Sequence, residues 1–145
     1  PMTGTAVAIT EVPDPIFIEK ILGDGIAIVP TEGKVVSPVD GTVSKVAETG
    51  HIYAVTSDNG VEVVIHVGLE TVALNGKCFQ IHVKEGDKVK AGDLLADVDL
   101  EFIKETGRNS ITPIVIGSSL EGKELVCEEG EVQAGKTVIM EIKQK

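Results

Sequence analysis

Two of the three histidines in the chain, His51 and His66, lie on the two strands of one predicted β-hairpin. The stretch "HIYAVTSDNGVEVVIHVG" (51–68) places Asn59-Gly60 between alternating apolar runs, the strongest short-range hairpin signal, because a type I′ turn needs positive φ at both central residues. Paired imidazoles can hold a metal ion with a third ligand, exchange protons near neutral pH, or carry a phosphoryl group on one ring.

The register of this hairpin decides whether the two imidazoles meet. With Asn59 and Gly60 as the turn, Tyr53 lies opposite His66, and the histidines form a diagonal pair roughly 7 to 8 Å apart at Cβ. A turn at Asp58-Asn59 places the histidines directly opposite each other, and a three-residue loop places them on different faces. Two of the three registers therefore pair the rings.

The apolar run around His66 hides an alternation of two faces. Residues of odd number from 61 to 67 are Val or Ile and point one way, while Glu62, Val64 and His66 point the other way. We expect the outer face to carry His51 beside His66, with Val64, Tyr53 and Val55 forming an apolar surface around the two imidazoles. Gly68 leaves room for a backbone or ligand to approach.

The composition predicts an all-β protein. Val and Ile dominate the apolar residues, Trp is absent, and 16 Gly separate many short apolar runs. Residues 1–9 resemble 37–47, and 83–101 resemble 127–143, which indicates a duplicated β unit. We expect a single-domain antiparallel β-sandwich/barrel hybrid with an internal duplicated motif and at most short helices, the one trusted helix running from an Asp99 N-cap through "LEFIKET" to Gly107.

A phosphate-loop pattern near the end of the chain is interpreted as a chance match. "GEVQAGKT" (130–137) fits G-x-x-x-x-G-K-[ST], but the motif requires a helix after the loop, and the alternating "TVIMEIK" that follows is typical of a strand.

The net charge of −10 argues against nucleic acid and anionic membranes and favours a basic protein partner. No stretch approaches the roughly 20 apolar residues of a membrane span, and no signal peptide is evident. Cys78 and Cys127 fit neither CxxC nor a metal spacing, which is typical of a cytoplasmic protein.

From end to end, the sequence resembles the glucose-type enzyme IIA domain of the bacterial phosphoenolpyruvate:sugar phosphotransferase system. The resemblance rests on 11–43, on "GH" at 50–51, on "SDNGVEVVIHVGLETVALNGKCF" (57–79), on "EGDKVKAGDLL" and on "TPIVI". "GDGIAI" together with "IHVGLETV" is highly specific. The resemblance implies one phosphocarrier domain over 1–145, either trimmed at its N-terminus or excised from a longer permease.

The resemblance also implies roles for individual residues. His66 would accept a phosphoryl group from the carrier protein HPr and pass it to a cysteine of a IIB domain, His51 would stabilise that group, and Thr49 would position an imidazole. The implied partner surface comprises Phe17, Leu22, Tyr53, Val64, Val72, Asp14 and Glu70. No cofactor or metal is expected, although a zinc ion bridging His51, His66 and a partner carboxylate is compatible with the pair.

Three alternatives remain open beside this interpretation. A LytM-type zinc endopeptidase would need an Asp ligand and an H-x-H, and this chain has no H-x-H. A biotinyl or lipoyl carrier would need a lysine at the hairpin tip, where Asp58, Asn59 and Gly60 stand instead. A regulatory protein that binds transporters or metabolic enzymes does not exclude the phosphocarrier. His82 is interpreted as an ordinary surface histidine.

Overall fold

The computed structural model describes residues 2–12, 25–47, 51–58, 60–68, 79–106, 109–117, 123–127, 130–133 and 140–144. The strands are β1 (Gly4–Ala8), β2 (Gly25–Pro30), β3 (Lys34–Val36), β4 (Gly41–Val46), β5 (Ile52–Ser57), β6 (Glu62–His66), β7 (Phe79–Ile81), β8 (Lys88–Val89), β9 (Leu94–Val98), β10 (Thr112–Ile116), β11 (Lys123–Cys127), β12 (Gly130–Val132) and β13 (Met140–Gln144). A 3₁₀ helix covers Ile9–Glu11, and α1 covers Leu100–Glu105.

The strands form three antiparallel sheets in the described ranges. An eight-stranded sheet has the order β12-β1-β2-β10-β6-β5-β4-β8, a three-stranded sheet has the order β3-β9-β7, and β11 pairs with β13. One buried cluster contains side chains from both larger sheets, including Ile26 and Ile65 from the first and Val35 and Leu95 from the second. The two sheets therefore pack on a common core, as in a sandwich, and the predicted all-β class is confirmed.

The predicted duplication appears in the strand pairing. At one edge of the large sheet Gly4 of β1 pairs with Val132 of β12, and at the other edge Gly41 of β4 pairs with Val89 of β8. These glycines occupy the same place in the two similar stretches 1–9 and 37–47. The repeats thus build equivalent two-stranded units at opposite edges, with the β6-β10 pair at the centre between them.

The turns before β8 and β9 use the same local chemistry twice. The Asp87 carboxylate accepts a hydrogen bond from the Lys84 N–H at 3.0 Å, and the Asp93 carboxylate accepts one from the Lys90 N–H at 2.9 Å. Such bonds satisfy backbone groups that no strand pairs.

A second, smaller apolar cluster lies beside β2 and β10, away from the common core. It contains Ile9, Val12, Ala27, Ile111 and Val115, and Val7 and Val64 pack against it. Since Val64 and His66 both lie on the same face of β6, this cluster borders the surface that carries His66.

The predicted helix and the rejected phosphate loop both agree with the described residues. Asp99 caps α1, because its side chain accepts from the Phe102 N–H at 3.1 Å, and Thr106 is the C-cap; Gly107 lies outside the described residues. Gly130–Val132 and Met140–Gln144 are strands, which leaves no phosphate-loop helix over 140–144. None of the helices in the described part of the chain is long and apolar enough to cross a membrane.

Candidate functional site

The β5-β6 hairpin has a three-residue loop rather than the expected two-residue turn. Thr56 pairs with Glu62, and the Ser57 N–H donates to the Val61 carbonyl at 2.8 Å, so three residues separate the bonded positions 57 and 61. Gly60 has φ 90, the left-handed residue that three-residue hairpins need at this point. The Asn-Gly signal found the hairpin correctly but not its register.

This one-residue difference in register changes which side chains surround His66. Ile52 lies opposite His66, and Ala54 lies opposite Val64. Tyr53 is instead paired with Ile65 and is 0 % exposed in the common core. The predictions that Tyr53 is part of the partner surface and that Val55 shares the face of His66 are therefore wrong, since a slip by one residue moves every side chain of a strand to the other face.

The two imidazoles nevertheless meet. Their ring centroids are 5.5 Å apart, and the rings are edge to face with an interplanar angle of 81°. The expectation that a three-residue loop would separate them is wrong because His51 precedes the first residue of β5 and does not follow the alternation of that strand. The Val67 N–H donates to the His51 carbonyl at 2.7 Å, which attaches this residue to the end of β6.

A backbone carbonyl determines the tautomer of His66. Its Nδ1 lies 2.9 Å from the Gly68 carbonyl oxygen. Because a carbonyl oxygen can only accept, Nδ1 must carry the proton, and in the neutral ring the lone pair then resides on Nε2. Gly68 has φ 73, a left-handed conformation that side chains disfavour. This carbonyl contact was not predicted, although Gly68 was expected to leave room for a backbone or ligand to approach.

The surroundings of His51 favour its neutral form. Burial lowers the pKa of His51 below its ordinary value, and the charges of His66 and Lys45 lower it further. A neutral imidazole offers one N–H donor and one lone pair, so His51 is suited to donate a single hydrogen bond to a group on His66.

The surface around the pair is apolar at its centre and charged at its margin. Ala54 and the half-buried Val64 lie in one cross-strand row, and half-buried Ile52 lies in the row of His66. Lys45, opposite Ala54, is exposed, and Glu62 continues the face of β6 beyond Val64. Such a face excludes water from a bound group while presenting charges to a partner.

Of the predicted site residues, the structure brings together His51, His66 and Val64. Thr49 and the predicted partner residues Asp14, Phe17, Leu22, Glu70 and Val72 lie outside the described residues. Within the ranges that are described, no group of three or more His, Cys, Asp or Glu could hold a metal ion. Ile52 is an addition that the correct hairpin register would have revealed, whereas Lys45 reaches this face through the irregular pairing of β4 with β5.

His82 lies on the other sheet, as a partly exposed surface residue. Its Nε2 is 2.7 Å from a carboxylate oxygen of Asp97, with side-chain exposures of 34 % and 40 %. This agrees with the prediction for His82.

Comparisons with known proteins agree on one family. A model of the phosphoenolpyruvate-dependent sugar phosphotransferase system, EIIA 1, matches residues 1–121. The glucose-specific EIIA component of Bacillus cereus is 46 % identical over 146 residues, covering 100 % of this chain and 88 % of the relative. The glucose-specific EIICBA component of Staphylococcus carnosus is 49 % identical over 141 residues, 97 % of this chain and 21 % of the relative. The solved structure of glucose permease IIA from Mycoplasma capricolum superposes with a TM-score of 0.90 at 35 % identity, covering 97 % of this chain and 91 % of that one.

Proposed function

Because the chain belongs to the EIIA family of the phosphoenolpyruvate-dependent sugar phosphotransferase system, we propose that His66 is the residue on which it carries a phosphoryl group. Proteins of this family are phosphotransferase components, so a phosphocarrier role in sugar uptake belongs to this chain as well.

The observation that carries the proposal is the contact between His66 Nδ1 and the Gly68 carbonyl. It leaves the lone pair on Nε2, so Nε2 can attack phosphorus without first losing a proton. The Nε2–P bond forms as the bond from phosphorus to the donor's nitrogen breaks, and the electron pair of that bond stays with the donor. In the second transfer a cysteine thiolate attacks, an S–P bond forms, and the electron pair returns to Nε2.

His51 stabilises the phosphoryl oxygens in this proposal. Its ring lies edge to face against His66 at 5.5 Å, and its lowered pKa keeps it a neutral donor. Phosphoryl transfer requires mainly in-line positioning and stabilisation of the charge on the equatorial oxygens. One directed N–H from His51 would supply part of that charge stabilisation. Thr49, two residues before His51, is proposed to position an imidazole.

We propose HPr as the donor and a cysteine of a IIB domain as the acceptor. Two relatives are EIICBA components, which supports a B component as the partner. The net charge of −10 suits a basic donor surface. Val64 supplies apolar contact area beside His66, and Phe17, Leu22, Val72, Asp14 and Glu70 are proposed to complete the partner surface.

The relatives are named for more than one sugar, and the proposed chemistry requires no cofactor. Relatives named for glucose and for N-acetylglucosamine are similarly close, at 46 % and 44 % identity. The transfer uses only imidazole nitrogens and hydrogen-bond donors, so zinc at His51 and His66 is reserved as an alternative outcome of the test. We propose that the chain acts in the cytoplasm, because HPr and the B component would both have to reach the surface that carries His66.

The test is phosphorylation with phosphoenolpyruvate, enzyme I and HPr, followed by intact mass. The expected result is one added phosphoryl group that is labile in acid and stable in alkali, and that is absent from His66→Ala. The matched control is His82→Ala, which removes an imidazole from the other sheet and should take up the group like wild type.

If wild type gains no mass while HPr is phosphorylated, the proposal fails, and bound zinc at the pair should then be measured. If His66→Ala is still phosphorylated, the role of His66 is overturned.

A further inference from the structure

A phosphoryl group on His66 needs positive charge near it. The group carries close to two negative charges near neutral pH, and the chain already has a net charge of −10. In the unphosphorylated protein, burial and the charges of His66 and Lys45 lower the pKa of His51, which favours a neutral ring that offers a hydrogen bond rather than a full charge. A cation on the same face would offset this repulsion.

A β-bulge in β4 places such a cation. Val43 pairs with Val55, and the next pair is Lys45 with Ala54, so Ser44 is the additional residue. In a regular ladder Ser44 would pair with Ala54, and Lys45 would pair with the core residue Tyr53. The bulge instead turns Lys45 onto the outer face, and Val46 takes the place opposite Tyr53.

From this geometry we propose that the bulge at Ser44 presents Lys45 to the phosphoryl group on His66, and that its ammonium stabilises the phosphorylated form. Lys45 would be a residue that contacts the transferred group. The inference rests on the proposed function of His66 and adds the source of its charge stabilisation.

The distances permit this contact. Lys45, Ala54 and Val64 form one row across three strands, and His66 lies two residues further along β6. Two strand spacings and two residues separate the Cα atoms of Lys45 and His66 by about 12 Å. An extended lysine and a phosphorylated imidazole that lean toward each other together span that distance. Before any phosphorylation, the charge of Lys45 already acts on the His51 ring.

The equilibrium of phosphoryl exchange with HPr measures this stabilisation directly. An equilibrium constant depends only on the end states, so it is insensitive to how Lys45 affects docking or the rate. The chain is mixed with HPr and phospho-HPr until the phosphorylated fractions are constant, and both fractions are read by intact mass. Lys45→Met should lower the constant about fivefold, the upper range for an exposed charge pair, and Lys45→Arg should restore most of it.

Lys88→Met is the matched control. Lys88 is exposed, lies in edge strand β8 and pairs with Thr42. It is about 19 Å from His66 by strand spacings, roughly two Debye lengths at physiological salt, so the same charge change should leave the constant within twofold. Added salt should reduce the difference between wild type and Lys45→Met.

The outcomes separate this inference from the proposed function. If wild type takes up no phosphoryl group, the proposed function fails, and the inference falls with it. If wild type is phosphorylated but Lys45→Met has an unchanged constant, or Lys88→Met lowers it equally, only the inference is overturned. Loss in Lys45→Met with rescue by Lys45→Arg supports it.

Discussion

His66 and His82 are both partly exposed histidines near strand ends, yet their rings contact different kinds of acceptor through different nitrogens. His66 directs Nδ1 to the Gly68 carbonyl, a neutral group that can only accept, and this places the lone pair on Nε2. His82 instead directs Nε2 to a carboxylate oxygen of Asp97 at 2.7 Å. Nε2 of His66 therefore carries the lone pair that the proposed transfer uses, whereas Nε2 of His82 is engaged by a carboxylate.

The second ring sharpens this comparison. His66 has the His51 ring edge to face with a centroid distance of 5.5 Å, whereas His82 contacts the Asp97 carboxylate on the other sheet. Four predictions test the comparison, in decreasing order of expected effect.

Replacing His51 with Ala should slow transfer from phospho-HPr about 10²- to 10³-fold, the typical loss of one preorganised donor. Nε2 of His66 is still present in this variant, so the adduct should form slowly and at the same residue. The measurement is quench-flow mass spectrometry, with His82→Ala as the control at less than twofold. Equal rates for wild type and His51→Ala would remove His51 from the mechanism.

Gly68→Ala should destabilise the fold and disturb the tautomer of His66. A φ of 73 costs a residue with a side chain about 1 to 2 kcal/mol, and relaxation of that strain would move the carbonyl away from Nδ1. Gly60→Ala is the matched control. Gly60 has a similarly positive φ of 90, but it lies in the hairpin loop, and nothing lies within 4 Å of an added Cβ. Urea unfolding should show a loss in both variants, and nitrogen NMR should show a changed His66 tautomer only in Gly68→Ala. An unchanged tautomer in that variant would mean that the carbonyl does not set it.

The lowered pKa of His51 predicts a pH dependence of stability. At pH values around and just below 6.5 the unfolded chain binds more protons at this residue than the folded chain does. The free energy of unfolding should therefore rise with pH through this window, and fall as the pH drops. Between pH 8 and pH 5 wild type should lose stability relative to His51→Gln, by less than about 1 kcal/mol since solvent screens a half-buried ring. Parallel urea midpoints for the two proteins would contradict this.

Asp97→Asn should have the smallest effect. The His82–Asp97 pair is more than one-third exposed on both sides, and such pairs contribute about 0.2 to 1 kcal/mol. Thermal unfolding should show this small loss, while the rate and equilibrium of phosphoryl uptake stay unchanged. A change in phosphoryl uptake would mean that the two histidine sites are coupled.

Much of the fold was predictable because the signals are local or repeated. The capped helix 100–105 follows from Asp99 and its spacing to Phe102. The duplication was visible in the two glycine-threonine stretches and reappears as the pairs Gly4–Val132 and Gly41–Val89. The resemblance of the sequence identified the family, which the comparisons confirmed.

The immediate surroundings of His66 were predicted less well, because the loop length of the hairpin was misjudged by one residue. That error put Tyr53 on the surface, whereas its large side chain lies in the common core with 0 % exposure. The alternation within β6 was still correct, since it depends on one strand alone.

The sequence by itself determined which face of β6 carries His66, because alternation with Val63 and Ile65 leaves only one way to bury those side chains. It also placed a glycine where a carbonyl could reach the ring. Only the tertiary structure decided what stands beside that face. The three-residue loop places Tyr53 in the core, the bulge at Ser44 places Lys45 on the outer face, and His51, which precedes the first residue of β5, does not follow strand alternation. Each depends on packing and pairing between strands, which no single stretch of sequence encodes.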